Sequence, residues 1–447
     1  MEKHFCRPSA GLQLPLASLN PKSILHSPKA LALLDQAVAS GGNFALGVLL
    51  ARWLGLEAFG QYSLLWMGVL FLLSLHQAYI TQPLLTLVPG KQGAERAVYF
   101  TSLTALQFAL SASVCLLAML VFLGLKAFGF HAGWLPWLPL TGLLAATYLL
   151  HDFFRKFCFA KGQSSMALLL DCTVFGLMLA GLAMLYWLKV LELTAALWVM
   201  VAAYFSGNLL GHWATGPRFR LDFRQFQQTA KEHYHTSVWL LGTSLVQWFS
   251  GNYFLVAAAG SLGPMAVGAL RMAQNMVGLC HVLFLAMENI VPVEAARQLF
   301  SNGEGAMFRY LRRAGLWVGI PVVGLLLSLT AAAPWLIGWL YGADYQPFAY
   351  LVTAYSAVYL LGYLATLLRF ALRSMQYTMP IFIGYSASAL ASLAVAYPLA
   401  RQWGITGTMA GLFGAQLLIL GVYAFFMLKK HRTVPDHRLS PSHSLPK

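Results

Sequence analysis

The chain has 447 residues, of which 59% are hydrophobic and only 10% charged. That leaves too little charge to cover a soluble protein of this length, so a soluble globular fold is excluded. The net charge of +15 would suggest nucleic acid in a soluble protein; in a chain of apolar runs it marks membrane topology, and no nucleic-acid partner is expected.

Residues 1–29 contain prolines and lack the apolar core of about 7–15 residues that a cleaved signal peptide needs. They are expected to be a cytoplasmic tail. Twelve apolar runs follow, near 30–51, 61–83, 98–124, 134–153, 166–187, 192–212, 236–259, 264–290, 314–333, 349–370, 379–400 and 405–428. Each approaches the roughly 20 residues that cross a bilayer core. The expected fold class is therefore all-α, a polytopic membrane protein of about twelve transmembrane helices. The expected organisation is an N-lobe over 30–212, a cytoplasmic linker over 213–235, a C-lobe over 236–428 and a cytoplasmic tail over 429–447.

An even number of spans puts both termini on one side. With the termini inside, only Arg52, Lys126, Lys189 and Arg401 of the 29 Lys and Arg fall on the far side, and Arg271 alone falls within a span. This asymmetry predicts cytoplasmic termini. Arg155 and Lys156 count here as residues of the inner connection after span four. The cysteines, Cys6, Cys115, Cys158, Cys172 and Cys280, are scattered without a CxxC pair, so no disulfide framework, metal site or cofactor is expected. No loop is long enough to fold as a soluble catalytic domain, and the chain is not expected to be an enzyme.

The two halves repeat each other. Ser40-Gly41-Gly42-Asn43-Phe44 matches Phe249-Ser250-Gly251-Asn252-Tyr253, Leu54-Gly55 matches Leu262-Gly263, and Gly60 matches Gly268. Further on, Lys156 through Gln163 matches Arg369 through Gln376. Because six spans is an even number, both halves enter the membrane from the same side. The predicted arrangement is two six-helix lobes related by a parallel pseudo-two-fold repeat, with a cavity between them whose access alternates. Gly55 and Gly263 are expected to close their helices in the left-handed conformation, and Pro264 fits the first turn of the next helix.

Asn43-Phe44, the stretch Ala51 to Tyr62, Arg155 to Gln163 with Asp171 following, and Leu340 to Tyr345 resemble the signature of polysaccharide and lipid-linked oligosaccharide flippases (Wzx-like transporters). These belong to the multidrug/oligosaccharidyl-lipid/polysaccharide exporter superfamily. The resemblance covers residues 30–428. It implies a bacterial inner-membrane transporter that moves an undecaprenyl-pyrophosphate-linked sugar unit to the outer leaflet for surface or exopolysaccharide synthesis. The partners it implies are that lipid-linked glycan, membrane lipids, H+ or Na+ as a coupling ion, and other polysaccharide-assembly proteins.

Ionisable groups in spans cost about 2.5–3.5 kcal/mol each to insert and are functional candidates. In span one, Asp35, Gln36, Ser40, Asn43 and Gly47 fall within about 140° of one helix face. In span eight, Arg271, Gln274, Asn275, Gly278 and His281 form a stripe of about 120°. Arg271 lies about 10 Å in from the outer end. Facing a cavity, its guanidinium would grip a pyrophosphate or an acidic sugar with two parallel bonds; the alternative is snorkelling to outer headgroups. His76 and Gln77 of span two and Gln247 of span seven are expected along the same path. Asp35 and Asp171 are candidate proton or cation sites; Asp35 is alternatively a hydrated helix cap near the cytoplasmic end, and Asp171 alternatively the partner of an arginine. Arg52 and Glu57 are expected to pair or to stabilise the turn at the outer mouth, with substrate exit contacts the alternative. Tryptophans near the span ends read as an interfacial belt. A cation-coupled multidrug exporter of the same superfamily is the alternative function. A membrane glycan polymerase or acyltransferase would need a catalytic set that the short outer loops do not carry.

Overall fold

The computed structural model describes residues 28–130, 132–215 and 222–433. Most of the expected tails, residues 1–27 and 434–447, and the basic residues Arg218 and Arg220 between the lobes lie outside the described residues; 28–29 and 429–433 are helix.

Among the described residues, twelve long helices follow one another. α1 runs Pro28–Leu54. α2 starts as Leu56–His76 and passes through a π-helical turn, Gln77–Thr81, into Gln82–Leu87. α3 is Gly93–Ala127, α4 Leu138–Ala160, α5 Ser164–Trp187 and α6 Leu193–Thr215. α7 is Phe223–Leu262. α8 spans 264–302, with one 3-10 turn at Gly278–Cys280, and α9 spans 304–340. α10 is Tyr350–Ser374, and α11 and α12 span 379–403 and 405–433. Positive φ at Gly303 (79°) and Gly404 (61°) breaks α8 from α9 and α11 from α12.

Ten of these helices lie in segments long and apolar enough to cross a membrane; α4 and α7 do not. α4 carries His151, Asp152, Arg155 and Lys156, and α7 begins with a polar stretch. Large apolar side chains stand exposed on the outside of the bundle, among them Leu116, Leu117 and Leu120 of α3. Lipid tails are the medium that such a surface requires.

The repeat is visible in the backbone. Gly55 has φ 81°, ψ 173° and Gly263 has φ 84°, ψ −179°. This is not the left-handed helical cap expected from the sequence. It is the extended positive-φ region that only glycine enters readily, and it turns the chain sharply from α1 to α2 and from α7 to α8. Pro264 occupies the first turn of α8 as expected. The end of the molecule bearing these two turns is the outer end below. At the second landmark, Gly162 (φ 76°) and Gln376 (φ 56°) occupy the same cap position, with Gln163 N donating to Cys158 O at 2.8 Å and Tyr377 N to Leu372 O at 2.9 Å. The caps therefore pair Gly162, not Gln163, with Gln376.

α1 to α6 pack into one lobe: α1 on α5, α5 on α6, and α4 on α3 and α6. α7 to α12 form the other, with α7 against the α11–α12 pair and α10 against α9. The lobes meet where α2 crosses α8. The connection between lobes is shorter than expected. Asp222 caps α7, accepting from Arg224 N at 3.0 Å, so residues 223–235 are already helix. This first stretch of α7 packs on the N-lobe. His233 Nδ1 lies 2.9 Å from Tyr79 O in the π turn, and His233 Nε2 lies 2.8 Å from Tyr99 Oη. Glu232 pairs with Lys91 at 3.2 Å.

Candidate substrate cavity

A cavity of about 630 Å3 lies between the lobes. Gln36, Ser40, Asn43 and Gly47 of α1 line one side, as their shared helix face requires. Arg271, Gln274, Asn275, Gly278 and His281 of α8 line the other. Tyr62 and Trp66 of α2 and Tyr148 of α4 complete an aromatic wall. Their rings form a ladder: Tyr62 to Trp66 at 6.1 Å and Trp66 to Tyr148 at 5.0 Å between centroids.

Arg271 Nη1 donates to Gln274 Oε1 at 2.8 Å, while Nη2 is buried without a hydrogen-bond partner. Among the described residues no carboxylate lines the cavity, and none pairs with Arg271. A buried guanidinium with an unused N–H is costly until an acceptor arrives. Asn275 has a different task. It donates to Tyr341 Oη at 3.0 Å and to Phe44 O at 3.4 Å, tying α8 to α1. A Cβ on Gly47 would meet Asn275 Nδ2 at 2.7 Å, so the glycine makes room for that bridge. Asn43 and His281 present exposed side chains to the cavity.

The cavity is closed at the outer end. Tyr345 Oη donates to Ala51 O at 3.1 Å. Arg52 reaches across the lobes to the carbonyls of Trp339 and Leu340, the last turn of α9, where a cation is favoured by the helix dipole. The expected Arg52–Glu57 pair does not form.

Five other candidates lie away from this cavity. Asp35 and Asp171 are buried inside the N-lobe and share one guanidinium: Arg155 bonds Asp35 Oδ2 directly and places Nε 2.9 Å from Asp171 Oδ2. Asp171 also meets His151 Nε2 at 3.0 Å. Asp35 therefore neither caps a hydrated helix end nor faces the cavity. His76 is buried between α2, α3 and α4, with Nε2 2.7 Å from Gln107 Oε1 and Nδ1 3.6 Å from Asp152 Oδ2. Gln77 is half-buried in the π turn, and Gln247 is exposed on α7 outside the cavity lining. Sequence reasoning missed Arg155, placing it in a loop because the apolar run stops near 153. The helix continues to Ala160, and this buries the guanidinium against two carboxylates. It also missed the aromatic wall, although 59, 62 and 66 recur at helical spacing.

No protein-family model matches the chain, and no curated protein matches it in sequence. Solved structures do match its fold. A multidrug resistance MATE family transporter of the MOP superfamily, in an inward-facing conformation, aligns with TM-score 0.68 and 12% identity over 90% of this chain and 100% of that one. The lipid II flippase MurJ, in an inward closed conformation, aligns with TM-score 0.63 and 12% identity over 89% and 87%. A MOP superfamily transporter from Pyrococcus furiosus aligns with TM-score 0.61 and 12% identity over 93% and 98%. The chain is thus a multi-pass membrane protein with the two-lobe, all-helical fold of MOP superfamily transporters.

Proposed function

We propose that this chain is a flippase for a lipid-linked oligosaccharide of the undecaprenyl-pyrophosphate type in a bacterial inner membrane. Its cytoplasmic termini would follow the basic residues, and its two lobes would rock about the α2–α8 crossing. The observation that carries this reading is the buried Arg271 Nη2, unpartnered in a cavity without a carboxylate. Such a site attracts an anion such as pyrophosphate or an acidic sugar. Tyr62, Trp66 and Tyr148 offer flat apolar faces to sugar rings on the opposite side. Asn43, Gln274 and His281 supply hydrogen bonds, and Asn275 holds the bridge. The likeness to the lipid II flippase is compatible with this cargo. In the N-lobe, Asp35 and Asp171 share one Arg155, with His151 beside Asp171, a buried cluster whose charge H+ or Na+ can balance. That is where coupling to an ion gradient is assigned. Other polysaccharide-assembly proteins would supply and consume the glycan.

Arg271→Gln should reduce glycan export by about ten- to a hundred-fold, the value of a charge-assisted bond. Arg271→Lys should recover part of it, since lysine keeps the charge and loses the fork. The measurement is surface glycan in cells lacking the native gene, with membrane insertion checked by immunoblot. Normal surface glycan from Arg271→Gln would refute the cavity reading. A multidrug exporter is the second reading, favoured by the likeness to MATE transporters and by the N-lobe carboxylates. It predicts drug sensitivity in the deletion strain with surface glycan intact.

A further inference from the structure

A second cavity, of about 790 Å3, opens between the end of α8 and the start of α9. It shares no residue with the inter-lobe cavity. Gln298 and Asn302 of α8 line one wall, and Arg309, Arg312, Arg313 and Trp317 of α9 the other. Gly303, at φ 79°, makes the sharp turn that sets the two helices side by side. Spacings of three and four put the three arginines on one helix face. All three are exposed.

No ion pair among the described residues involves these arginines. Glu294, on the same stretch of α8, is engaged by Arg297 at 3.8 Å and by Gln298 Nε2 at 2.9 Å. Three clustered guanidiniums without a carboxylate repel one another, so the cleft has a standing deficit of negative charge.

The depth of the cleft identifies what can fill it. Trp317 and Trp335 are both largely exposed on α9, at 76% and 68%. Eighteen residues of helix separate them, a rise of about 27 Å. That matches a hydrocarbon core of about 30 Å, and tryptophan favours both of its boundaries. Arg313 and Arg309 then stand about 6 and 12 Å beyond Trp317, at the level of lipid phosphates. On the hydrocarbon side of the arginines, Leu316 and Ile320 are exposed at 60% and 72%, a surface for acyl chains.

We propose that this cleft is a binding site for the phosphate headgroup of an anionic phospholipid, with Arg309, Arg312 and Arg313 on the phosphate and the acyl chains along Leu316, Trp317 and Ile320. Basic pockets between membrane helices recognise such headgroups. The depth and the adjoining apolar surface select a lipid over a free anion. An occupant would brace the foot of α8, the helix that carries Arg271 near its opposite end.

The test is native mass spectrometry of the full-length, delipidated protein in detergent. It is titrated separately with phosphatidylglycerol, with phosphatidylcholine of the same chains, and with inorganic phosphate. Phosphatidylglycerol should be retained, and the other two should not. The combined variant Arg309→Gln/Arg312→Gln/Arg313→Gln should lose affinity for it by about a hundred-fold. The corresponding triple lysine variant should keep most of it, which covers the case in which the glutamine variant fails to fold. Equal retention of phosphatidylcholine, retention of inorganic phosphate at similar affinity, or unchanged phosphatidylglycerol binding in a folded glutamine variant would each overturn the site.

Discussion

Gly60 and Gly268, paired by the sequence repeat, touch each other across the lobe interface. A Cβ built on either lies 3.2 Å from the backbone nitrogen of the other. The symmetry of the contact puts both residues at the pseudo-two-fold axis, where α2 crosses α8. The two backbones approach too closely for any side chain: the Cβ of Gly60 would fall 1.9 Å from Pro264 O and that of Gly268 2.5 Å from Leu56 O.

Gly60→Ala or Gly268→Ala should therefore force the lobes apart at the outer end. A loss of about 1–3 kcal/mol is expected from overpacking, read as a lowered midpoint of thermal unfolding in detergent, and glycan export should fall with it. Gly176→Ala on α5 is the control. Nothing lies within 4 Å of its Cβ, and removing a mid-helix glycine should be neutral or stabilising.

Arg155 is the one arginine or lysine within ion-pairing distance of Asp35 and Asp171 among the described residues, and His151 also meets Asp171. Arg155→Met should strand two buried carboxylates and cost about 3–5 kcal/mol. Adding Asp35→Asn and Asp171→Asn should return much of that stability, because neither carboxylate that Arg155 bonded then remains. The triple variant should stay folded yet lose any dependence of transport on H+ or Na+. Unfolding midpoints and transport in proteoliposomes with imposed gradients distinguish the two effects.

Arg52 fastens the outer end by capping α9 from the opposite lobe. Arg52→Ala should weaken this closure and shift the population toward an outward-open form. In a cysteine-free background, a cysteine replacing Ser63 in the cavity lining should be labelled faster by an impermeant maleimide from the outer face. An unchanged labelling rate would remove the latch role.

The aromatic wall should act on the sugar part of the cargo, and Arg271 on the anionic part. Trp66→Ala should weaken transport by roughly ten-fold, near the worth of one stacked aromatic. Trp66→Phe should retain most of it. A glycan-free prenyl pyrophosphate should be insensitive to both changes in a binding assay.

What the sequence disclosed follows from the range of the interactions involved. Span lengths and the Gly55–Gly263 turns depend on local composition and backbone freedom, and both can be seen along the chain. The α8 stripe from Arg271 to His281 could be read because helical periodicity alone puts those residues on one face, and that face lines the cavity. The α1 stripe divides in a way periodicity does not disclose. Asn43 meets the cavity, while Asp35, two turns earlier, is drawn into the N-lobe by Arg155 from α4. His76 and Gln77 were out of reach for a similar reason. Polar residues in a span point either between the lobes or into one of them, and only the packing of α2 against α3 and α4 decides which.

α7 begins on one lobe and ends in the other. Its start is docked by His233 and Glu232, contacts that hold it to the N-lobe without the covalent link from α6. Two half-chains made separately, one ending after α6 and one starting at Asp222, should find each other in the membrane and restore a working protein. Any inserted domain that leaves this docking intact would be tolerated at the same place.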